Sequence, residues 1–203
     1  TLEARPYQDR VVNKTLQAIK EGHKSLLIES PCGSGKTIMA LRIAKQLHEE
    51  YGYNSGWTAM RRHLLHQAAA ENSQTLQLDC VKFFSTFDKN LPKADVLVED
   101  EGHHSASATS TENFKQINPK IHILLTATPQ RTDRMKLCFS KSIKDAGTRA
   151  LIDQGYLSPF HQYIFNNSWT PDSLATIYSK GRERWGKSVM YFLTEVECDA
   201  CAE

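Results

Sequence analysis

Two clusters of residues in this sequence have the types and spacing needed for chemistry on a phosphate ester. The first is Ser30-Pro31-Cys32-Gly33-Ser34-Gly35-Lys36-Thr37. Its glycines let the chain curl so that successive backbone N–H groups face an anion, and a helix opening at this point adds the positive end of its dipole. Lys36 is then expected to neutralise the β- and γ-phosphate oxygens of ATP, and the Thr37 hydroxyl to ligate Mg²⁺. The run departs from the pattern G-x-x-x-x-G-K-[ST] at its first position, where Ser30 stands in place of glycine. The second cluster is Asp100-Glu101-Gly102-His103-His104, which follows the apolar run Val96-Leu97-Val98. Asp100 is expected to hold Mg²⁺ through water and Glu101 to polarise the attacking water. One carboxylate would serve the metal and the other the proton.

These clusters meet only if the chain between them builds a scaffold, and its periodicities describe one. Apolar Val11, Val12, Leu16 and Ile19 recur at helical spacing over residues 7–21, followed by a strand-type run over 25–29. A second helical pattern (Ile38, Leu41, Ile43, Ala44, Leu47) stops near Gly52, so the phosphate-binding residues lie between a strand and a helix. The spacing predicts further strands near 56–60, 81–84, 96–98, 121–125 and 160–165, and helices near 62–70 and 148–154, the last ended by Gly155. Strands alternating with helices predict an α/β fold around a parallel sheet, which places carboxylates at strand ends where such sheets bind ligands. Residues 166–180 are polar and aperiodic, a linker pattern; 187–193 reads as a strand and 195 onward as a helix.

Composition is that of a folded globular chain: of 203 residues 40% are apolar and 24% charged. The net charge of +2 leaves a nucleic-acid face to local patches. The sequence carries no run of about 18 apolar residues and no secretory leader pattern, which points to a cytoplasmic or nucleoid-associated setting without a membrane partner. Five scattered cysteines suit reduced thiols, and Cys198-x-x-Cys201 lacks the second pair that a zinc site needs.

Given these residues, the sequence resembles the DExH-type superfamily 2 helicases. Asp100-Glu101-Gly102-His103 and Leu125-Thr126-Ala127-Thr128-Pro129 look like their motifs II and III in the right order. The resemblance implies a RecA-like P-loop NTPase domain over 1–165, a linker over 166–185, and the start of a second RecA-like domain over 186–203. That domain is the expected partner, and its arginine-bearing motif lies beyond this sequence, so slow turnover is expected of these residues alone. Arg5-Pro6-Tyr7-Gln8 is similar to the adenine-reading segment, with Gln8 on the base and Arg5 assisting. Thr126, Thr128 and His103 would couple the nucleotide to the nucleic acid.

Residues 57–67 look like motif Ia, and Ser85-Thr86-Phe87 stands where a further backbone-contacting motif is expected. Arg61 and Arg62 open a predicted helix directly after a strand, so guanidinium groups and backbone amides would both face phosphates. Ser85 and Thr86 join them in the expected groove. Trp57 fits the core better than a stacking role. A second basic run, Arg131, Arg134, Lys136, Lys141 and Lys144, reads as a solvated face. Residues 126–133 and Leu151-Ile152-Asp153-Gln154-Gly155-Tyr156-Leu157 resemble the restriction and repair translocases. The implied function is an ATP-driven motor on DNA, ahead of RNA. The alternatives are a restriction-type translocase subunit and a nucleotide-gated binding module that does not unwind.

Overall fold

The computed structural model describes residues 4–100, 108–128, 139–160 and 170–181. The chain divides into two compact units, 1–159 and 160–203. In the first unit the order is α1 (Pro6–Lys20), β1 (Ser25–Glu29), α2 (Lys36–Tyr51), β2 (Ser55–Ala59), α3 (Arg62–Gln74), β3 (Val81–Ser85) and β4 (Val96–Asp100). It continues with α4 (Ala108–Ile117), β5 (Ile121–Thr126), β6 (Lys141–Lys144) and α5 (Thr148–Asp153). The six strands form one sheet in the order β3-β2-β4-β5-β1-β6, and every neighbouring pair is parallel.

The parallel arrangement explains why the central strands are apolar throughout. Both faces of the sheet are covered, so a strand has no solvent side on which to alternate polar residues. Leu26, Ile28, Trp57, Val96, Val98, Ile123 and Leu125 point to one face, where they join Val11 and Val12 of α1, Met39, Ala40, Leu41, Ile43 and Ala44 of α2 and Ala68 of α3 in the main core. The opposite face packs Phe84 and Leu97 against Ile117 of α4. Full burial of such side chains contributes about 1.5–3 kcal/mol each. Trp57 is among the most buried residues of the molecule and stacks at a tilt on Phe83, 5.9 Å between centroids. It is core.

Three elements go beyond the sequence reading. α4 was not anticipated. β6 takes Lys141 and Lys144 of the second basic run into an edge strand, both exposed, with only Ile143 of the strand buried. Arg131, Arg134 and Lys136 lie outside the described residues. In the second unit, part of the aperiodic segment 166–180 forms α6 (Pro171–Lys180). Its start is local: the Thr170 hydroxyl accepts from the Ser173 N–H (3.2 Å) and Ser173 Oγ accepts from the Thr170 N–H (2.9 Å). Pro171 fills the first helical position. The predicted strand over 160–165 (all but Phe160), the elements after 186, and Cys198 and Cys201 lie outside the described residues.

Candidate nucleotide and nucleic-acid site

β1 delivers the chain to the phosphate loop at Ser30, whose N–H donates to the Thr126 carbonyl at the end of β5, 3.0 Å away. Ser30 is buried, and its hydroxyl lies 2.7 Å from Ser34 Oγ, which donates to the Pro31 carbonyl at 2.6 Å. The residue that departs from the glycine pattern thus ties the neck of the loop with its side chain. Gly33 and Gly35 take left-handed φ of 78° and 81°, a region costly for residues with a Cβ. A Cβ on Gly35 would also stand 2.6 Å from Gln8 Nε2. Lys36 Nζ reaches back to the carbonyls of Ser30 (3.2 Å) and Pro31 (3.4 Å), held by neutral acceptors inside the loop. Thr37 follows in the first turn of α2, part-buried, and Cys32 is exposed.

The first turn of α1 is fastened to the same loop. Tyr7 Oη (2.6 Å) and Gln8 Nε2 (3.0 Å) both donate to the Ser34 carbonyl, and Gln8 Oε1 accepts from the Arg5 N–H at 3.1 Å. The structure therefore brings Arg5 and Gln8 to the phosphate loop. Tyr7, which the sequence reading passed over, is the shorter of the two ties.

The acidic strand end lies one strand further off. β5 separates β4 from β1, and Asp100 stands opposite Leu125 in register, while Glu29 stands opposite Thr126. Thr37 and Asp100 supply a hydroxyl and a carboxylate, both hard oxygen donors of the kind Mg²⁺ takes. Both belong to the C-terminal edge of the sheet and both are part-buried. Glu71 of α3 was not anticipated as part of this region: burial pushes its carboxyl up, and the charge of Asp100 adds to the shift. The neighbouring Glu99 points to the other face and pairs with His122 Nε2 at 2.5 Å, beneath the Phe114 ring. Glu101 and His103 lie outside the described residues.

Thr126 closes a tight turn, donating to the Thr128 carbonyl (2.7 Å) and accepting from the Thr128 N–H (3.1 Å). Because the Thr126 carbonyl also receives the Ser30 N–H, this turn is bonded directly to the phosphate loop. At the far side of the same edge, Arg61 and Arg62 are exposed at the start of α3. Ser85 and Thr86 are buried instead. Thr86 Oγ1 lies 3.2 Å from Thr58 Oγ1, its carbonyl accepts from Asn113 Nδ2 (2.6 Å), and Ser85 Oγ accepts from the Phe87 N–H (3.3 Å). Their side chains build a turn that leaves Phe87 exposed.

A six-stranded parallel sheet with this loop after β1 defines a RecA-like P-loop domain. The family model described as "Type III restriction enzyme, res subunit" matches residues 1–90, which hold the phosphate loop, Gln8, Arg61 and Arg62. No curated protein matches the chain. Among solved structures, a nuclease-deletion mutant of the Type ISP restriction-modification enzyme LlaGI, in complex with a DNA substrate mimic, superposes with a TM-score of 0.60 at 16% identity. It covers 92% of this chain and 23% of its own. The UvsW helicase from bacteriophage T4 gives 0.59 at 15% identity over 71% of this chain and 61% of its own. The SWI2/SNF2 ATPase core of Sulfolobus solfataricus in complex with dsDNA gives 0.51 at 17% identity, over 63% and 32%. The chain thus spans from about a quarter to under two thirds of these proteins. Its first unit shares the RecA-like fold of these structures, and the restriction-subunit model matches its first 90 residues.

Proposed function

We propose that this chain is the front motor domain of an ATP-dependent DNA helicase or translocase, working with a second RecA-like domain of the same protein. The reading rests above all on one connection: the phosphate loop is bonded through Ser30 to Thr126, at the end of the strand that separates it from Asp100. Lys36 binds the β- and γ-phosphates, Gln8 and Arg5 take the base side, and Glu101 accepts the proton of the attacking water. Thr37 and Asp100 would hold Mg²⁺, which when bound neutralises charge on the phosphate oxygens. Thr126, Thr128 and His103 carry the nucleotide state along the sheet edge, where Arg61 and Arg62 hold strand phosphates and Ser85 and Thr86 shape the adjoining turn.

The DNA-bound restriction enzyme and SWI2/SNF2 structures favour DNA over RNA. The family match over residues 1–90 supports a motor of this kind, with the restriction-type translocase subunit as the alternative form. The test is multiple-turnover ATPase of the full-length protein against single-stranded and duplex DNA and RNA. DNA is expected to stimulate most. Turnover indifferent to every nucleic acid would favour the nucleotide-gated binding module instead, and stimulation by RNA alone would reverse the choice of substrate.

A further inference from the structure

The turn that ends α5 carries two side chains the proposed mechanism does not use, and both lie against the nucleotide site. α5 closes with Gly155 in the left-handed region (φ 76°). The Gly155 N–H donates to the Ile152 carbonyl (2.9 Å) and the Tyr156 N–H to the Leu151 carbonyl (2.8 Å). This pair of bonds is the Schellman arrangement, which fixes the direction in which the chain leaves a helix. Leu151 is fully buried beneath it. Tyr156 and Leu157 are therefore presented by a locked turn.

Tyr156 meets the base side. Its ring packs edge-on against Tyr7, with centroids 5.2 Å apart, and the Arg5 guanidinium lies 5.6 Å from its centroid. Arg5 Nη1 also donates to the Tyr156 carbonyl (3.4 Å) and to Tyr7 Oη (3.3 Å). Leu157 meets the phosphate side: its Cδ2 lies 3.2 Å from where a Cβ on Gly33 would be. The segment is anchored upstream as well, where Asp145 receives a bidentate hydrogen bond from Arg10, Nε to Oδ1 and Nη2 to Oδ2, and a bond from Lys14, both on α1. One stretch of chain, far from the phosphate loop in sequence, touches both halves of the nucleotide site.

We infer that Tyr156 is a positioning residue for nucleotide binding: it holds Arg5 and the Tyr7 ring, so that the base side of the site is set before ATP arrives. This inference rests on the nucleotide-site reading above. Preorganisation of this kind raises affinity by lowering the ordering cost on binding. It acts on a ligand that reaches the base side and leaves a bare polyphosphate, gripped by the loop alone, unaffected.

The experiment is calorimetric binding of MgATP and of magnesium tripolyphosphate to the full chain and to Tyr156→Ala, Tyr156→Phe, Arg5→Ala and the Arg5→Ala/Tyr156→Ala pair. Tyr156→Ala is expected to weaken MgATP about tenfold or more and tripolyphosphate hardly at all. Tyr156→Phe keeps the ring and the carbonyl and should bind like wild type. Arg5→Ala, which does not depend on Tyr156 variants folding, should show the same selective loss, and the double variant should lose less than the sum of the two. Equal weakening of both ligands, wild-type MgATP affinity in Tyr156→Ala, a Tyr156→Phe as weak as the alanine form, or an Arg5→Ala without the selective loss would each overturn the inference. Lys36→Ala separates the two levels. It should lose both ligands, and if it retains tripolyphosphate the phosphate-loop reading itself fails, whatever Tyr156 does.

Discussion

The sheet presents two candidate sites along one edge, and they are built on opposite plans. At β1 the polar groups of the phosphate loop are bonded inward: Ser30 to Thr126 and Ser34, Ser34 to Pro31, Tyr7 and Gln8 to Ser34, and Lys36 to two carbonyls. At β2 and β3 the inward bonds belong to Ser85 and Thr86, while Arg61, Arg62 and Phe87 are exposed. A ligand with one fixed shape suits the first plan, since loop geometry is set before it binds. A polymer gripped at whichever phosphates are passing suits the second, since exposed guanidinium groups adapt to position and carry no base information.

The contrast is sharpest in hydrolysis. Glu101→Gln should lower turnover by about 10²- to 10⁴-fold, the usual worth of a positioned base, while MgATP still binds. Phosphate release beside calorimetry in the full-length protein reads both, and unchanged turnover would remove Glu101 from its role. Lys36→Ala should act on binding itself. Losing two charge-assisted bonds worth about 1.5–3 kcal/mol each predicts a loss of about 10²-fold or more in MgATP affinity, and wild-type binding would refute the fixed-shape plan for the loop.

At the other end, Arg61→Ala with Arg62→Ala should weaken every DNA sequence alike. The salt dependence of single-strand binding should fall by about 1.4 in log–log slope, roughly 0.7 for each phosphate contact removed. A loss confined to some sequences would mean that this edge reads bases. The smallest effect concerns the clamp between α1 and the chain after β6. Arg10 and Lys14 hold the Asp145 carboxyl below its usual range, so its stabilisation is present above the ordinary carboxylate value of about 3.9 and is lost as pH falls through the lowered one. Thermal melting from neutral pH into that acid range should therefore fall further in wild type than in Asp145→Asn. Parallel curves would show that the clamp adds nothing to stability.

The place of the candidate phosphate loop between β1 and α2 was legible because its signals are local. Glycines, lysine and threonine in a fixed order between a strand and a helix need no distant partner to be recognised, and only the reason for Ser30 waited on the fold. The start of α6 was equally local in Thr170-Pro171-Asp172-Ser173, but it is written in capping residues rather than in apolar periodicity. β6 had no such signal. With one apolar residue in four, it is a strand because β1 offers it an edge to pair with.

Tertiary structure alone decided the remaining neighbours. Asp100 is kept one strand away from β1 by the strand order, which no periodicity encodes. His122 finds Glu99 because β4 and β5 lie side by side. Tyr156 reaches Arg5 across 151 residues, because a glycine cap turns the chain back onto α1. The types and spacings of residues determine which groups can do chemistry and which segments become helix or strand. Which of those groups meet depends on how the elements bury their apolar faces together, and that is a property of the whole packed unit.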